Sequence, residues 1–279
     1  MKSFFIIVLF LQSLISVWGE KSDSIRLTTF NVHYLYAGHD KMNWDDRKEA
    51  VLQVITESDP DIISFQEMET FTRSQENDQN IQLSYLQMNL SDYGTAAVGP
   101  AADFPITQPI LFKKDRFESR NQGFFFFSET PDQIYSRTWN GSYPAYCVWI
   151  DLYDSQRQET FRVYNMHNDY KSRNNRIKSS LLILEKMQSW LDDKKPLILM
   201  GDFNALSWQQ PVSLFQNAGL LIGKTRGSSF HFNRGLNLFP AIDHILFTPH
   251  FQQKSNQIIR KRYDGVFPSD HYPVTVEIY

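Results

Sequence analysis

Pro60-Asp61-Ile62-Ile63-Ser64-Phe65-Gln66-Glu67 sets a short apolar run directly against an amide and a carboxylate. The Pro-Asp pair is a turn signal, and Ile62–Phe65 after it has the length and composition of a buried strand. The same arrangement recurs along the chain. Asn31 and His33 close the strand-like run Ile25–Val32, and Asn165, His167 and Asp169 close Thr160–Met166. Gly201-Asp202-Phe203-Asn204 follows Leu197–Met200, Ser269-Asp270-His271 precedes Val274–Ile278, and Asp243 interrupts the apolar Ala241–Phe247. Strand ends on one sheet edge are where a groove gathers side chains from distant parts of a chain.

Outward from these runs, the remaining pattern is strand-rich. Further strands are expected near Tyr93–Val98, Pro109–Phe112, Phe124–Phe127, Ala145–Tyr153 and Asn256–Lys261, with the polar turn Asp154–Glu159 joining two neighbours. Helical periodicity covers Asp45–Thr56, Ile81–Leu90, Ile177–Leu191 and Pro211–Ala218. Many strands with few interposed helices predict an α/β fold of two packed sheets flanked by helices, in one domain over 22–279. A doubly wound parallel sheet is the alternative, disfavoured by so many strands in direct succession.

The 279 residues are 42% hydrophobic and 21% charged, which excludes wholesale disorder and is enough to bury a core without staples. Lys2 and the apolar run Phe4–Val17, ending in Val17-Trp18-Gly19, have the layout of a signal peptide over 1–19. The expected location is therefore secreted or periplasmic, with no stable membrane insertion after cleavage; an uncleaved anchor is the alternative. The lone Cys147 cannot form an internal disulfide and reads as a small buried hydrophobe. A net charge of −3 argues against a protein that coats nucleic acid non-specifically.

The residue types at the strand ends suit phosphoryl chemistry. Asn31, Glu67 and Asp270 are hard oxygen donors, matched to Mg²⁺, Mn²⁺ or Ca²⁺. His167 and His271 can donate to phosphate oxygens or move protons near neutral pH. Asp202 can take a proton from water that Asn204 orients, and Asp243 can fix the tautomer of His271. Each has a plainer reading. Glu67 alone is an exposed loop residue, Asp202-Phe203-Asn204 alone is turn chemistry, and Ser269-Asp270-His271 alone is no better. Ordered co-occurrence outweighs these, as does a carboxylate at Asp243 that needs a partner if buried.

The order of motifs resembles the endonuclease/exonuclease/phosphatase superfamily, with its deoxyribonuclease-I-like fold. The matching stretches are Thr29-Phe30-Asn31, Pro60 to Glu67, Asn165-Met166-His167, Gly201 to Asn204, Ile242-Asp243-His244-Ile245 and Ser269 to Val274. Ser128-Glu129-Thr130-Pro131 and Ser229-Phe230-His231-Phe232 resemble a secreted bacterial branch. The resemblance implies a four-layer sandwich with metal at Asn31, Glu67 and Asp270. It also implies attacking water positioned by Asp202 and Asn204, His271 supported by Asp243, and His167 stabilising the pentacoordinate phosphorus. Many relatives carry an acid where this chain has His33, and branch relatives carry Glu and Asn at the positions of Ile106 and Gln108, with consequences for the support of His167. Asp169 and Arg176 match family positions and read as structural.

Lys171, Arg173 and Arg176 can neutralise phosphate or can form a solvated helix entrance. Arg260-Lys261-Arg262 can grip a nucleic-acid backbone or protect an edge strand. Trp208 and His231 are candidate substrate contacts, whereas Phe124–Phe127 reads as a core strand rather than a membrane patch. The expected function is a divalent-metal-dependent phosphodiesterase, a nuclease, acting as a monomer on a phosphate-ester substrate such as nucleic acid. A phosphatase or sphingomyelinase-like hydrolase, and a non-catalytic binding module, are the alternatives.

Overall fold

The computed structural model describes residues 23–35, 43–68 and 80–279; the signal-peptide reading of 1–19 lies outside them. Among the described residues twelve strands and four helices follow one another, beginning with β1 (Ile25–Asn31), α1 (Trp44–Ser58), β2 (Ile62–Gln66), α2 (Ile81–Asn89), β3 (Tyr93–Ala96), β4 (Ile110–Lys113), β5 (Phe117–Phe126) and β6 (Tyr146–Asp154). The chain continues through β7 (Glu159–His167), α3 (Arg173–Asp192), β8 (Leu197–Asp202), α4 (Gln210–Asn217), β9 (Leu221–Ile222), β10 (Asp243–Phe247), β11 (Gln253–Ile258) and β12 (Val274–Ile278).

These strands form two mixed six-stranded sheets, ordered β11-β12-β1-β2-β4-β3 and β5-β6-β7-β8-β10-β9. Only β1–β2 and β7–β8 pair in parallel; the other neighbours are antiparallel. Period-two alternation explains the layering. In β2, Ile62 enters the core between the sheets while Ile63 and Phe65 enter the layer beneath α1 and α2. In β8, Ile198 and Met200 join the same central core, and Leu197 and Leu199 face α3 and α4. Central strands buried on both faces are therefore near-continuously apolar, and the result is the expected four-layer sandwich.

The topology gathers the candidate residues at one end. Parallel β1 and β2 both finish there at Asn31 and Gln66, and parallel β7 and β8 finish at His167 and Asp202. Antiparallel β10 starts at that end, with Asp243 opposite Asp202, and β12 starts beside Thr29 just after His271.

Three local readings change. Asn256–Lys261 is not a strand throughout: β11 ends at Ile258, so Arg260-Lys261-Arg262 lies beyond the edge strand. Lys261 instead reaches Glu57 at 2.7 Å, and Arg260 donates to the Arg226 carbonyl. Phe124–Phe126 is the end of a longer strand whose outer half is polar, Phe127 lies just past it, and Phe125, Phe126 and Phe127 are buried. Helix α3 begins at Arg173 because Ser172 caps it, its Oγ accepting from the Asn175 amide at 3.1 Å. Cys147 is fully buried, and no described helix is long and apolar enough to cross a membrane.

Candidate active site

A buried polar seam joins the two sheets below the site. Gln66 Nε2 donates to Asn165 Oδ1 at 2.7 Å, and Asn165 Nδ2 donates to the carbonyls of Phe65 and Gln108 at 2.8 and 3.1 Å. With the ends of β2 and β7 thus tied, the side chains above them have little freedom. Gly201 is fixed by the same closeness: a Cβ there would lie 2.0 Å from the Met166 carbonyl oxygen across the β7–β8 pair. Only glycine lets β8 deliver Asp202 beside His167.

Asp202 occupies the middle of the cluster. Its Oδ1 accepts from the Asn204 amide at 2.8 Å, while Oδ2 accepts from Asn31 Nδ2 at 3.1 Å. His167 Nε2 and His271 Nε2 stand 3.6 and 3.8 Å from the same Oδ2, separations that a water or substrate oxygen bridges. Burial, then the negative charge of Asp243, push the Asp202 carboxyl up to about 6 against the opposing pull of the histidines. His271 Nδ1 lies 2.9 Å from Asp243 Oδ2, so the expected His–Asp pair is present in geometry. Burial disfavours the His271 imidazolium, but Asp243, Asp202 and Asp270 together hold its pKa well above the ordinary value.

Asn31 Nδ2 also donates to Glu67 Oε1 at 3.0 Å, and His167 Nε2 lies 3.7 Å from that oxygen. Burial opposes ionisation of Glu67, yet hydrogen bonding from His33, the charge of His167 and the Asn31 amide bring it down to about 2. His33 enters where many relatives have an acid, its Nδ1 3.3 Å from Asp270 Oδ1 and 3.5 Å from Glu67 Oε2. His33, Glu67 and Asn204 all adopt left-handed backbone, with φ of 62°, 59° and 45°. Strain of that kind on non-glycine residues persists only where the surroundings enforce it.

Arg47 is the principal residue that motif reading missed. It is fully buried and donates to four backbone carbonyls: Val32, Pro268 at 3.0 Å, His33 at 2.9 Å and Tyr34 at 2.7 Å. One guanidinium thereby ties the tail of β1 to the loop carrying Asp270 and His271. The signal was present in the sequence, since Arg47 sits three and four residues before Ala50 and Val51 on the buried stripe of α1. Tyr143, also missed, packs its ring 5.4 Å from that of His167 and donates to the Asn168 carbonyl at 3.0 Å. Ser229 and Ser269 complete the frame: Ser229 Oγ accepts from the Ile242 and Asp243 amides, and Ser269 Oγ donates to the Asn31 carbonyl at 2.7 Å.

Other candidates do not converge. Arg176 donates to the Asp169 and Tyr170 carbonyls, Arg173 to Gln210 Oε1, and Asp169 accepts from Ser142, Lys171 and Ser172, all holding the turn into α3. Gln108 bonds to the Tyr146 carbonyl and Ile106 offers its carbonyl to Asn80; neither bond reaches His167. Trp208 is 64% exposed. His231 is buried beneath the site loop, stacked on Tyr272 with ring centroids 3.9 Å apart.

The donors fit a divalent cation. Glu67 and Asp270 bring hard carboxylate oxygens to the one point held by His33 Nδ1. Asn31 stands beside Glu67 but turns Nδ2 to it while its Oδ1 accepts from the His33 amide at 3.0 Å, so it becomes an oxygen ligand there once its amide turns over. A second group, Asp202, Asp243 and His271, has ligand atoms all within 4.8 Å of one another. Within that group His271 Nδ1 is engaged by Asp243, which favours an acid–imidazole pair over a metal cage there.

The model of the Endonuclease/Exonuclease/phosphatase family matches residues 28–271, from β1 through His271. The chain belongs to this family. Among solved structures, an endonuclease/exonuclease/phosphatase family protein from Bacteroides thetaiotaomicron is 24% identical with a TM-score of 0.79, covering 91% of this chain and 97% of that one. A mannosyl-6-phosphatase from the same organism is 25% identical, TM-score 0.79, covering 91% and 99%. An uncharacterized protein of Acanthamoeba polyphaga mimivirus is 23% identical over 171 residues, and the match spans 60% of this chain and 61% of that relative's length. Members of the endonuclease/exonuclease/phosphatase family are phosphoric ester hydrolases that generally use divalent metal ions.

Proposed function

We propose that this family member hydrolyses phosphate esters by direct attack of water, with a divalent cation of the Mg²⁺ or Mn²⁺ type held by Asn31, Glu67 and Asp270. The observation that carries the reading is Asp202 Oδ2, set between Asn31, His167 and His271 while Asp243 engages the far side of the His271 ring. Asp202 takes the proton of the attacking water, and the Asn204 amide keeps the carboxylate turned for it. His271, fixed through Nδ1, and His167 present Nε2 to the phosphoryl oxygens, where charge accumulates. When bound, the cation polarises a phosphoryl oxygen and stabilises the leaving oxygen. Family membership and a complete set of chemical side chains disfavour a non-catalytic binding module.

Two substrate classes suit this chemistry. A small sugar-phosphate monoester has the support of the mannosyl-6-phosphatase, which is alike across 91% of the chain. Cleavage of nucleic-acid phosphodiesters, the first expectation from the sequence, rests on the family's breadth alone and takes second place. The leader-like composition of 1–19 supports action outside the cytoplasm, a reading checked by the N-terminus of the mature protein.

The deciding assay supplies Mg²⁺ or Mn²⁺ to the protein with hexose 6-phosphate, nucleoside 5′-monophosphate, plasmid DNA, RNA and sphingomyelin vesicles. Phosphate release that chelator abolishes and added metal restores is expected from the monoesters. Full activity after exhaustive chelation overturns the metal-dependent mechanism, and cleavage confined to DNA or RNA reverses the order of the two substrates.

A further inference from the structure

Beside His271 lies a pair of rings that the hydrolytic chemistry does not use. Phe230 packs its ring 4.8 Å from the His271 ring, and Phe232 packs 4.3 Å from Phe230. Neither ring belongs to the buried apolar clusters, and Phe232 is 49% exposed. An exposed phenylalanine alone is ordinary. Its backbone is not: Phe232 and Asn233 both sit in the left-handed region, with φ of 56° and 55°. That conformation is uncommon for any non-glycine residue and an outlier for a bulky one.

The loop is held in that shape from below. Phe230 pairs with His271 as an isolated antiparallel bridge, and the His231 amide donates to the Asp270 carbonyl at 2.9 Å. The Tyr272 amide donates to the Ser229 carbonyl at 2.6 Å, and the His231 ring is sandwiched against Tyr272 and Phe267. The loop is thus fastened to the same three residues that supply Asp270 and His271. Its free surface is an apolar, quadrupole-bearing ring face one ring away from the imidazole.

We propose that Phe230 and Phe232 form a stacking platform that receives the ring face of the group esterified to phosphate, making Phe232 a specificity-determining residue for cyclic over acyclic esters. The proposal rests on the ester-hydrolase reading. Sugar C–H faces and nucleobase faces share the required chemistry, since both present polarised edges or π surface to an aromatic quadrupole. An acyclic alcohol leaves the platform bare and gains nothing from it.

The test compares hexose 6-phosphate, nucleoside 5′-monophosphate and glycerol phosphate as substrates. Phe232→Ala is expected to lower the cyclic-to-acyclic ratio of kcat/KM by about 3- to 10-fold, through KM, as loss of one aromatic contact implies. Phe232→Trp is expected to restore the ratio and Phe232→Leu to leave it low. A larger fall for the hexose than for the nucleotide identifies a sugar as the stacked ring, and the converse identifies a base. Saturation-transfer NMR with hexose 6-phosphate and nucleoside monophosphate on Asp202→Asn protein reads ring contact without turnover. Strong transfer to ring protons that is lost on adding Phe232→Ala supports the platform even if the wild-type protein hydrolyses no ester, an outcome that sinks only the hydrolase reading. An unchanged ratio and an unchanged transfer pattern in Phe232→Ala overturn the platform.

Discussion

The sandwich buries charged groups at both of its ends, and it treats them in opposite ways. At one end Arg116 and Asp154, 5% and 0% exposed, form a forked pair at 2.7 to 3.1 Å. Arg116 Nη1 also donates to the Ser24 carbonyl, and Asp154 accepts from the Gln156 amide at 2.9 Å, so the charges are matched and their remaining atoms occupied. At the other end, about 26 Å away along β7, Asp202 and Asp243 are buried side by side. Asp243 Oδ1 has no partner among the described residues, and the two histidines stop short of hydrogen-bonding Asp202. The first arrangement is satisfied and therefore inert. The second keeps like charges together and leaves donors and acceptors open, the arrangement found around reacting groups rather than in an inert interior.

That contrast can be broken at its sharper end first. Replacing Asp202 by Asn should cut turnover of the preferred ester by about 10²- to 10⁴-fold, while the melting temperature holds or rises, because a carboxylate repelled by Asp243 is gone. Initial rates and thermal unfolding on the same preparation check both halves; a large loss of stability would make Asp202 a structural acid like Asp154. Asp154→Ala should do the reverse. Stranding Arg116 in the interior costs about 3–5 kcal/mol in urea unfolding, with turnover per folded molecule unaltered. The smallest effect sharpens the boundary between the two regimes. Ser172→Ala, next to the site loop but merely capping α3, should cost about 1 kcal/mol by the same unfolding measurement and leave KM alone.

Much of this layout is legible in the sequence because burial on both faces writes long apolar runs. β1, β2, β8 and β12 are read to within a residue or two for that reason. The outer half of β5, Phe117 to Gly123, escapes because it is an edge with polar residues turned to solvent, and β9 is only two residues long. β11 shifts because its pairing with β12 is irregular between Gln253 and Ser255 and its body is exposed, giving no apolar pattern to follow. At the site, residues that carry their own chemical signature are visible: acids, amides and histidines directly after strands. Residues that work by burial are not. Arg47 looks like one more cation on an amphipathic helix, and Tyr143 lies in an irregular stretch where no periodicity marks a ring beside His167. His33 was visible as a departure, but its place between Glu67 and Asp270 depends on a left-handed turn that composition does not encode.

The pairing of β1 with β12 also carries a consequence in time. Asn31 and His271 are brought together across an interval of 240 positions, and β1 lies between its early partner β2 and its late partner β12. Contacts of such separation form slowly, since the loop between them must close before they reward it. On the ribosome, β2 can pair with β1 long before β12 exists, whereas Asp270 and His271 arrive only with the closing strand. A chain halted or clipped ahead of residue 270 thus lacks Asp270 and His271, however well its earlier strands have docked, so under the proposed site assignment the order of synthesis itself keeps a nascent molecule catalytically silent.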